Sequence, residues 1–175
     1  MKLAKLATAF SVLTFVGLFS MPKSLETVVA QSSNVDFDIA LDHVALSVPD
    51  IGQSIAWYHK MFGFVEVRHG GQPNGMQTAL IQRGDVRIEL FQVPGAAPLP
   101  ESRRDPSEDF RTHGVKHFAF RVKDIRAILA QLQAKGVKVV FKLHDYPGAA
   151  FAFVSDNAGN AIELIQYKIP LGQAR

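Results

Sequence analysis

Two histidines and two glutamates carry the chemistry this sequence can perform. His43 and Glu89 stand 46 residues apart, as do His117 and Glu163, and the second pair is displaced from the first by 74. Imidazole and carboxylate without thiolate form a donor set for one divalent ion of borderline to hard character, such as Ni, Zn, Co, Mn or Fe. Cysteine is absent, which removes disulfides, thiolate nucleophiles and zinc–thiolate sites. Taken singly, a strand histidine is ordinarily a hydrogen-bonded residue and a strand glutamate ordinarily faces water. Repetition singles out His43, Glu89, His117 and Glu163 as expected metal ligands. Each glutamate is also flanked by Ile and Leu, where an isolated buried charge costs several kcal/mol and a divalent cation would offset it.

The elements that must position these four repeat as well. DHVALSVPDI at 42–51 aligns with KHFAFRVKDI at 116–125, matching His43 with His117 and Asp50 with Asp124. Alternation in each segment predicts a strand. Val44, Leu46 and Val48, or Phe118, Phe120 and Val122, lie on one face, with the histidine on the other. A helix follows each strand. The first starts near Asp50, carries Ile51, Ile55, Tyr58 and Phe62 on one side and stops at Gly63; the second runs from Asp124 through Ile125, Ile128, Leu129 and Leu132 to Gly136. Aspartate before the first turn and glycine after the last suit helix ends.

Three strand-like runs complete each half: 64–68, 77–83 and 86–93, then 137–143, 150–154 and 161–167, separated by Gly-, Pro- and Asn-rich turns. The prediction is an α+β fold of two tandem βαβββ modules, 41–93 and 113–168, forming a curved mixed sheet around a metal-binding cleft. Residues 94–112 read as a linker, and 169–175 as a tail. A helix covers only one face of each sheet, so the face that carries the histidines and glutamates lines the cleft. Arg87, Arg121 and Tyr167 share that parity and are candidates to orient an anionic substrate. His69 and His144, at strand ends, are candidate supporting or substrate groups, whereas solvent is expected around His59 and His113.

The N-terminus differs in composition from the rest. Lys2 and Lys5 precede an uncharged run from Leu6 to Phe19, and Val28-Val29-Ala30 supplies small residues for cleavage after Ala30, the layout of a signal peptide. The run is shorter than the roughly 20 residues that span a bilayer. Residues 1–30 are therefore expected to be a leader and 31–40 a flexible segment, with export to the periplasm or beyond the cell and no stable membrane insertion after cleavage. Beyond that leader, 16 basic residues face 15 acidic ones, which gives no electrostatic footprint for nucleic acid.

LDHVALSVPDIGQSIAWYHKMFGF at 41–64 is similar to the first-module opening of the vicinal-oxygen-chelate (glyoxalase) superfamily, and FAFVSDNAGNAIELIQ at 151–166 to its second-module ending. The resemblance covers Leu41 to Tyr167. Bacterial glyoxalase I fills its ligand positions with His, Glu, His and Glu, the residues His43, Glu89, His117 and Glu163 supply. Methylmalonyl-CoA epimerase usually has Gln where Glu89 stands, although 102–122 and Tyr146 to Ala149 look epimerase-like. Extradiol dioxygenases and fosfomycin-modifying transferases use two His and one Glu.

The resemblance implies a metal-dependent isomerase or lyase, akin to lactoylglutathione lyase, that holds a small substrate by vicinal oxygens and passes through an enediolate-type intermediate. Glu163 would be the catalytic base and Glu89 its symmetric counterpart, with a homodimer as the partner state. The alternatives are an epimerase, a non-haem iron dioxygenase and a non-catalytic small-molecule binder. Glutathione and acyl-CoA conjugates are cytosolic, so either the substrate is a different small oxygenated metabolite or residues 1–30 are not an export leader.

Overall fold

In a computed structural model, residues 38–170 are described. The expected leader, most of segment 31–40 and most of the tail lie outside them. Among the described residues no helix is long and apolar enough to cross a membrane.

The element order is that of two βαβββ modules. The first comprises β1 (Val44–Ser47), α1 (Ile51–Phe62), β2 (Val65–Gly71), β3 (Gln77–Arg83) and β4 (Val86–Gln92). The second comprises β5 (Phe118–Arg121), α3 (Ile125–Ala134), β6 (Val139–Asp145), β7 (Ala149–Ser155) and β8 (Ala161–Tyr167). Each module forms a four-stranded mixed sheet, ordered β1-β4-β3-β2 and β5-β8-β7-β6. The first strand of each pairs parallel to the last, and the remaining pairs are antiparallel.

Helix ends follow their local chemistry. Asp50 accepts from the Gln53 amide at 2.8 Å, and Asp124 from the Ala127 amide at 3.0 Å, each satisfying a donor the first turn leaves free. Gly63 (φ 72) and Gly136 (φ 82) take the left-handed conformation past the helix ends, where a Cβ would be strained. A second repeated device is a glutamine at the end of the last strand. Gln92 accepts from the Ile51 amide at 2.8 Å and Gln166 from the Ile125 amide at 3.0 Å, so the same strand that carries the glutamate also fixes the start of the helix.

The core runs through both modules. Ile88 and Leu90, on either side of Glu89, and Ile162 and Leu164, on either side of Glu163, are fully buried. Each such side chain contributes about 1.5–3 kcal/mol on burial, so the two carboxylates are displayed by strands anchored in the core. Between the modules, Phe62 and Phe64 of the first pack against Phe120 of β5, at centroid distances of 5.2 and 5.7 Å. The buried Tyr58 hydroxyl donates to Asp156 at 2.9 Å, and Asn157 donates to the Ser54 hydroxyl at 3.1 Å. Asp156 also accepts from the amides of Ala158 and Asn160 and from the Asn160 side chain. A buried carboxylate is tolerable only with such a complement of donors.

The stretch 94–112, expected as a plain linker, contains a 3-10 turn at Glu101–Arg103 and a short helix α2 at Pro106–Asp109. Asp105 caps that helix and Pro106 opens it, a start signal within a run read as turn-forming. Its buried Asp109 bonds Arg103 and Lys116, both at 3.1 Å. Burial works against the Asp109 carboxylate, but the hydrogen bonds from Lys116 and Arg103 outweigh it and hold the group below the usual carboxylate range.

Candidate functional site

Strand pairing explains why each histidine meets its glutamate. Ala45 stands opposite Glu89 across the parallel β1–β4 pair, and Ala119 opposite Glu163 across β5–β8. Two residues earlier, on the same face, the imidazoles reach back over the carboxylates. His43 Nε2 lies 3.2 Å from Glu89 Oε2, and His117 Nε2 lies 3.1 Å from Glu163 Oε2. All four side chains are partly buried.

The structure therefore forms both His/Glu pairs predicted from the spacing. It does not bring the pairs to one another. Among the described residues no three or more His, Cys, Asp or Glu side chains gather into one metal-holding group. His43 and His117 border one broad cavity of about 1600 Å³, together with residues of β1, the 92–100 stretch and the β7–β8 turn, but neither Glu89 nor Glu163 lines it.

The surroundings of the two pairs differ. On the first, Asp42 lies 2.8 Å from His43 Nδ1. An ionised carboxylate only accepts, so His43 Nδ1 donates to Asp42. Asp42 is in turn held by Arg87. The hydrogen bond from His43 above all, with the Arg87 guanidinium beside it, keeps the Asp42 carboxyl below its ordinary value. Arg68 approaches Glu89 Oε1 at 3.3 Å. On the second pair, Lys116 occupies the position equivalent to Asp42 and turns away to Asp109. There the His117 ring meets the edge of Phe153 at 4.7 Å and 86°.

The other sequence candidates are placed as follows. Arg87 is engaged by Asp42, and Arg121 sits 5.3 Å over the Tyr167 ring, a cation–π contact. His144 stacks on Phe141 on the cleft face. His69 pairs with Ala79, which puts it on the face opposite the site, and bonds Glu66 at 2.7 Å. His59, expected in solvent, donates to the Phe64 carbonyl at 2.9 Å and closes the end of α1. His113 is exposed and borders the cavity.

Asp42, Arg68 and the Gln92/Gln166 pair were not singled out by sequence reasoning. The glutamines share the 74-residue offset, a signal that was present. Asp42 was adjacent to a candidate ligand. Arg68 is brought to Glu89 by a β-bulge between Glu66 and Arg68, which strict alternation does not foresee.

Comparison with known proteins agrees with this architecture. The chain is 30% identical over 128 residues to the uncharacterized protein YaeR of Escherichia coli (strain K12), spanning 71% of this chain and 93% of that protein. It is 26% identical over 171 residues to the mitochondrial methylmalonyl-CoA epimerase of Homo sapiens, covering 86% and 93%. Its fold matches the trypanothione-dependent glyoxalase I of Leishmania major with a TM-score of 0.58 and 23% identity, over 74% of this chain and 87% of that one. Residues 40–164 match the Glyoxalase/Bleomycin resistance protein/Dioxygenase superfamily, and the chain belongs to that superfamily.

Proposed function

We propose that this protein is a divalent-metal-dependent isomerase or lyase that binds a small substrate through adjacent oxygens and moves a proton between neighbouring carbons. The observation that carries this reading is the twice-repeated approach of an imidazole Nε2 to a carboxylate oxygen, at 3.2 and 3.1 Å. Each contact can be met by a ring N–H donating to the carboxylate, and once that nitrogen is deprotonated the same nitrogen and oxygen stand side by side as neighbouring donors to one ion. His43, Glu89, His117 and Glu163 fit such an ion as nitrogen and oxygen donors. When bound, the ion would supply Lewis-acid polarisation of a substrate carbonyl.

The chain's own groups do the rest. Glu163, partly buried and on a rigid strand, takes the proton from carbon and returns it to the neighbouring carbon. Glu89, steadied by Arg68, stays in place as a ligand. Asp42 holds the His43 ring in the tautomer that leaves Nε2 free. Because the two pairs of one chain stand apart, a second copy of the chain supplies the complementary pair to each site. Residues 1–30 act as an export leader, and the domain proper is 41–168.

A second reading shares the carbon-acid step. Likeness to an epimerase over 86% of the chain supports proton removal from, and return to, one carbon. Assays of hemithioacetal isomerisation and of 2-methyl-acyl epimerisation, each with added Ni, Co, Zn or Mn, test both. Turnover in either, abolished by chelation, supports the class; metal-independent binding with no turnover in either supports a non-catalytic binder.

A further inference from the structure

The two modules repeat the His/Glu pair but not what lies beside it. In the first, Glu89 is flanked across the sheet by Leu80, then Arg68, with Thr78 and Gly70 one step along. In the second, the same register positions beside Glu163 hold Phe153, Phe141, Phe151 and His144. The rings of Phe141, His144 and Phe151 lie near parallel, with interplanar angles of 9° to 23° and centroids 4.8 to 5.9 Å apart. Tyr146 continues the array 5.7 Å from Phe151 at 27°. Phe153 stands perpendicular to them and touches the His117 ring edge-on.

The array depends on a backbone irregularity. A register shift between Phe141 and His144 inserts an extra residue in β6, so both rings fall on one face although three positions apart, where regular alternation would oppose them. His144 and Tyr146 are exposed, and Phe141 and Phe151 are half-buried. The rings thus reach solvent on the sheet face that carries Glu163 and are not sealed in the core.

We propose that this array is the specificity subsite, and that the substrate is an aryl compound whose planar ring lies against Phe141, His144 and Phe151 while its adjacent oxygens reach the His117/Glu163 end. Rings in near-parallel planes offer an offset-stacking partner to a flat π system, and Phe153 presents edge contacts between the array and His117. A saturated ring of the same size gains contact area but no stacking. The placement of the oxygens rests on the metal-dependent reading above; the preference for an aromatic ring does not.

Equilibrium binding of phenylglyoxylate and cyclohexylglyoxylate to the full chain, with and without added Ni or Mn, tests the assignment. The two probes share charge and adjacent oxygens and differ in ring planarity. The expected result is about fivefold tighter binding of the phenyl compound, a preference lost in His144→Ala and in Phe141→Leu. Since His144 is exposed, its variant keeps the fold intact and the test interpretable if Phe141→Leu unfolds. Equal affinity for the two probes, or a preference unchanged in His144→Ala, overturns the assignment. A phenyl preference without any metal uptake supports the subsite while sinking the metal-dependent reading; metal uptake and turnover with no phenyl preference does the reverse.

Discussion

His117 Nε2 lies 3.1 Å from Glu163 Oε2, a contact between residues 46 apart that recurs between His43 and Glu89 at 3.2 Å. In both cases the carboxylate stands on a strand whose neighbouring residues are fully buried, so its position is set by the core. The strand gains its anchorage from apolar burial on either side of the glutamate.

Glu163→Gln keeps the shape of the side chain and removes its basicity. Turnover in whichever proton-transfer assay is positive should fall about 100- to 10,000-fold, with the thermal midpoint little changed. A variant with full kcat would remove Glu163 from the role of base.

Asp42 fixes the ring of His43 from the side away from Glu89. Asp42→Asn should weaken metal affinity by about 10- to 100-fold, read by competition with a chromogenic chelator, while Lys116→Gln, at the equivalent position of the second module, should leave it within a few-fold. Equal effects of the two substitutions would contradict the asymmetry of the sites.

The proposed assembly of each site from two copies predicts complementation. Glu89→Ala and Glu163→Ala homodimers should each bind metal poorly, but co-expressed chains should regain part of the wild-type metal, because one site of each mixed dimer then receives two intact pairs. No recovery in verified mixed dimers would place the site within a single chain.

The Tyr58–Asp156 hydrogen bond joins the modules in the interior. Burial, with the Asp156 carboxylate beside it, pushes the Tyr58 hydroxyl well above its ordinary value of 10.0. In the unfolded chain the phenol ionises near that value, whereas in the folded one it stays protonated. Its contribution is therefore complete below pH 10 and is lost as pH rises from there through the folded-state pKa. Tyr58→Phe should cost about 2 kcal/mol at neutral pH and flatten the alkaline decline, measured by urea unfolding from pH 8 to 11. An unchanged alkaline decline would show that another group governs it.

Asp145 carries the opposite sign. Hydrogen bonds from Lys168 and Arg126 keep its carboxyl below the ordinary range, so the stability it lends is present above the unfolded value of 3.8 and disappears as pH falls through the lower folded one. Asp145→Asn should remove that part of the acid transition; an identical acid profile would refute the link.

How far the sequence revealed this arrangement depended on periodicity. Strands at 77–83 and 161–167 and both helices with their Asp and Gly ends were readable because alternation, helical spacing and capping agree there. The strand read at 64–68 runs to Gly71, and that at 137–143 lies at 139–145; each contains a bulge that breaks the two-residue period. The same bulges conceal which face Arg68 and His144 occupy. The His/Glu pairs were legible since a 46-residue spacing occurs twice. Their separation in space was not, because it depends on how the modules pack, which the repeat does not encode.

Metal analysis of the purified protein decides whether the two His/Glu pairs hold an ion. After loading with Ni, Zn, Co, Mn or Fe and removal of excess ion, the wild type should retain about one divalent ion per chain, and Glu89→Ala and Glu163→Ala should each lose it while remaining folded. Wild-type protein that takes up no stoichiometric metal at neutral pH, or variants that bind as well as the wild type, would contradict the account.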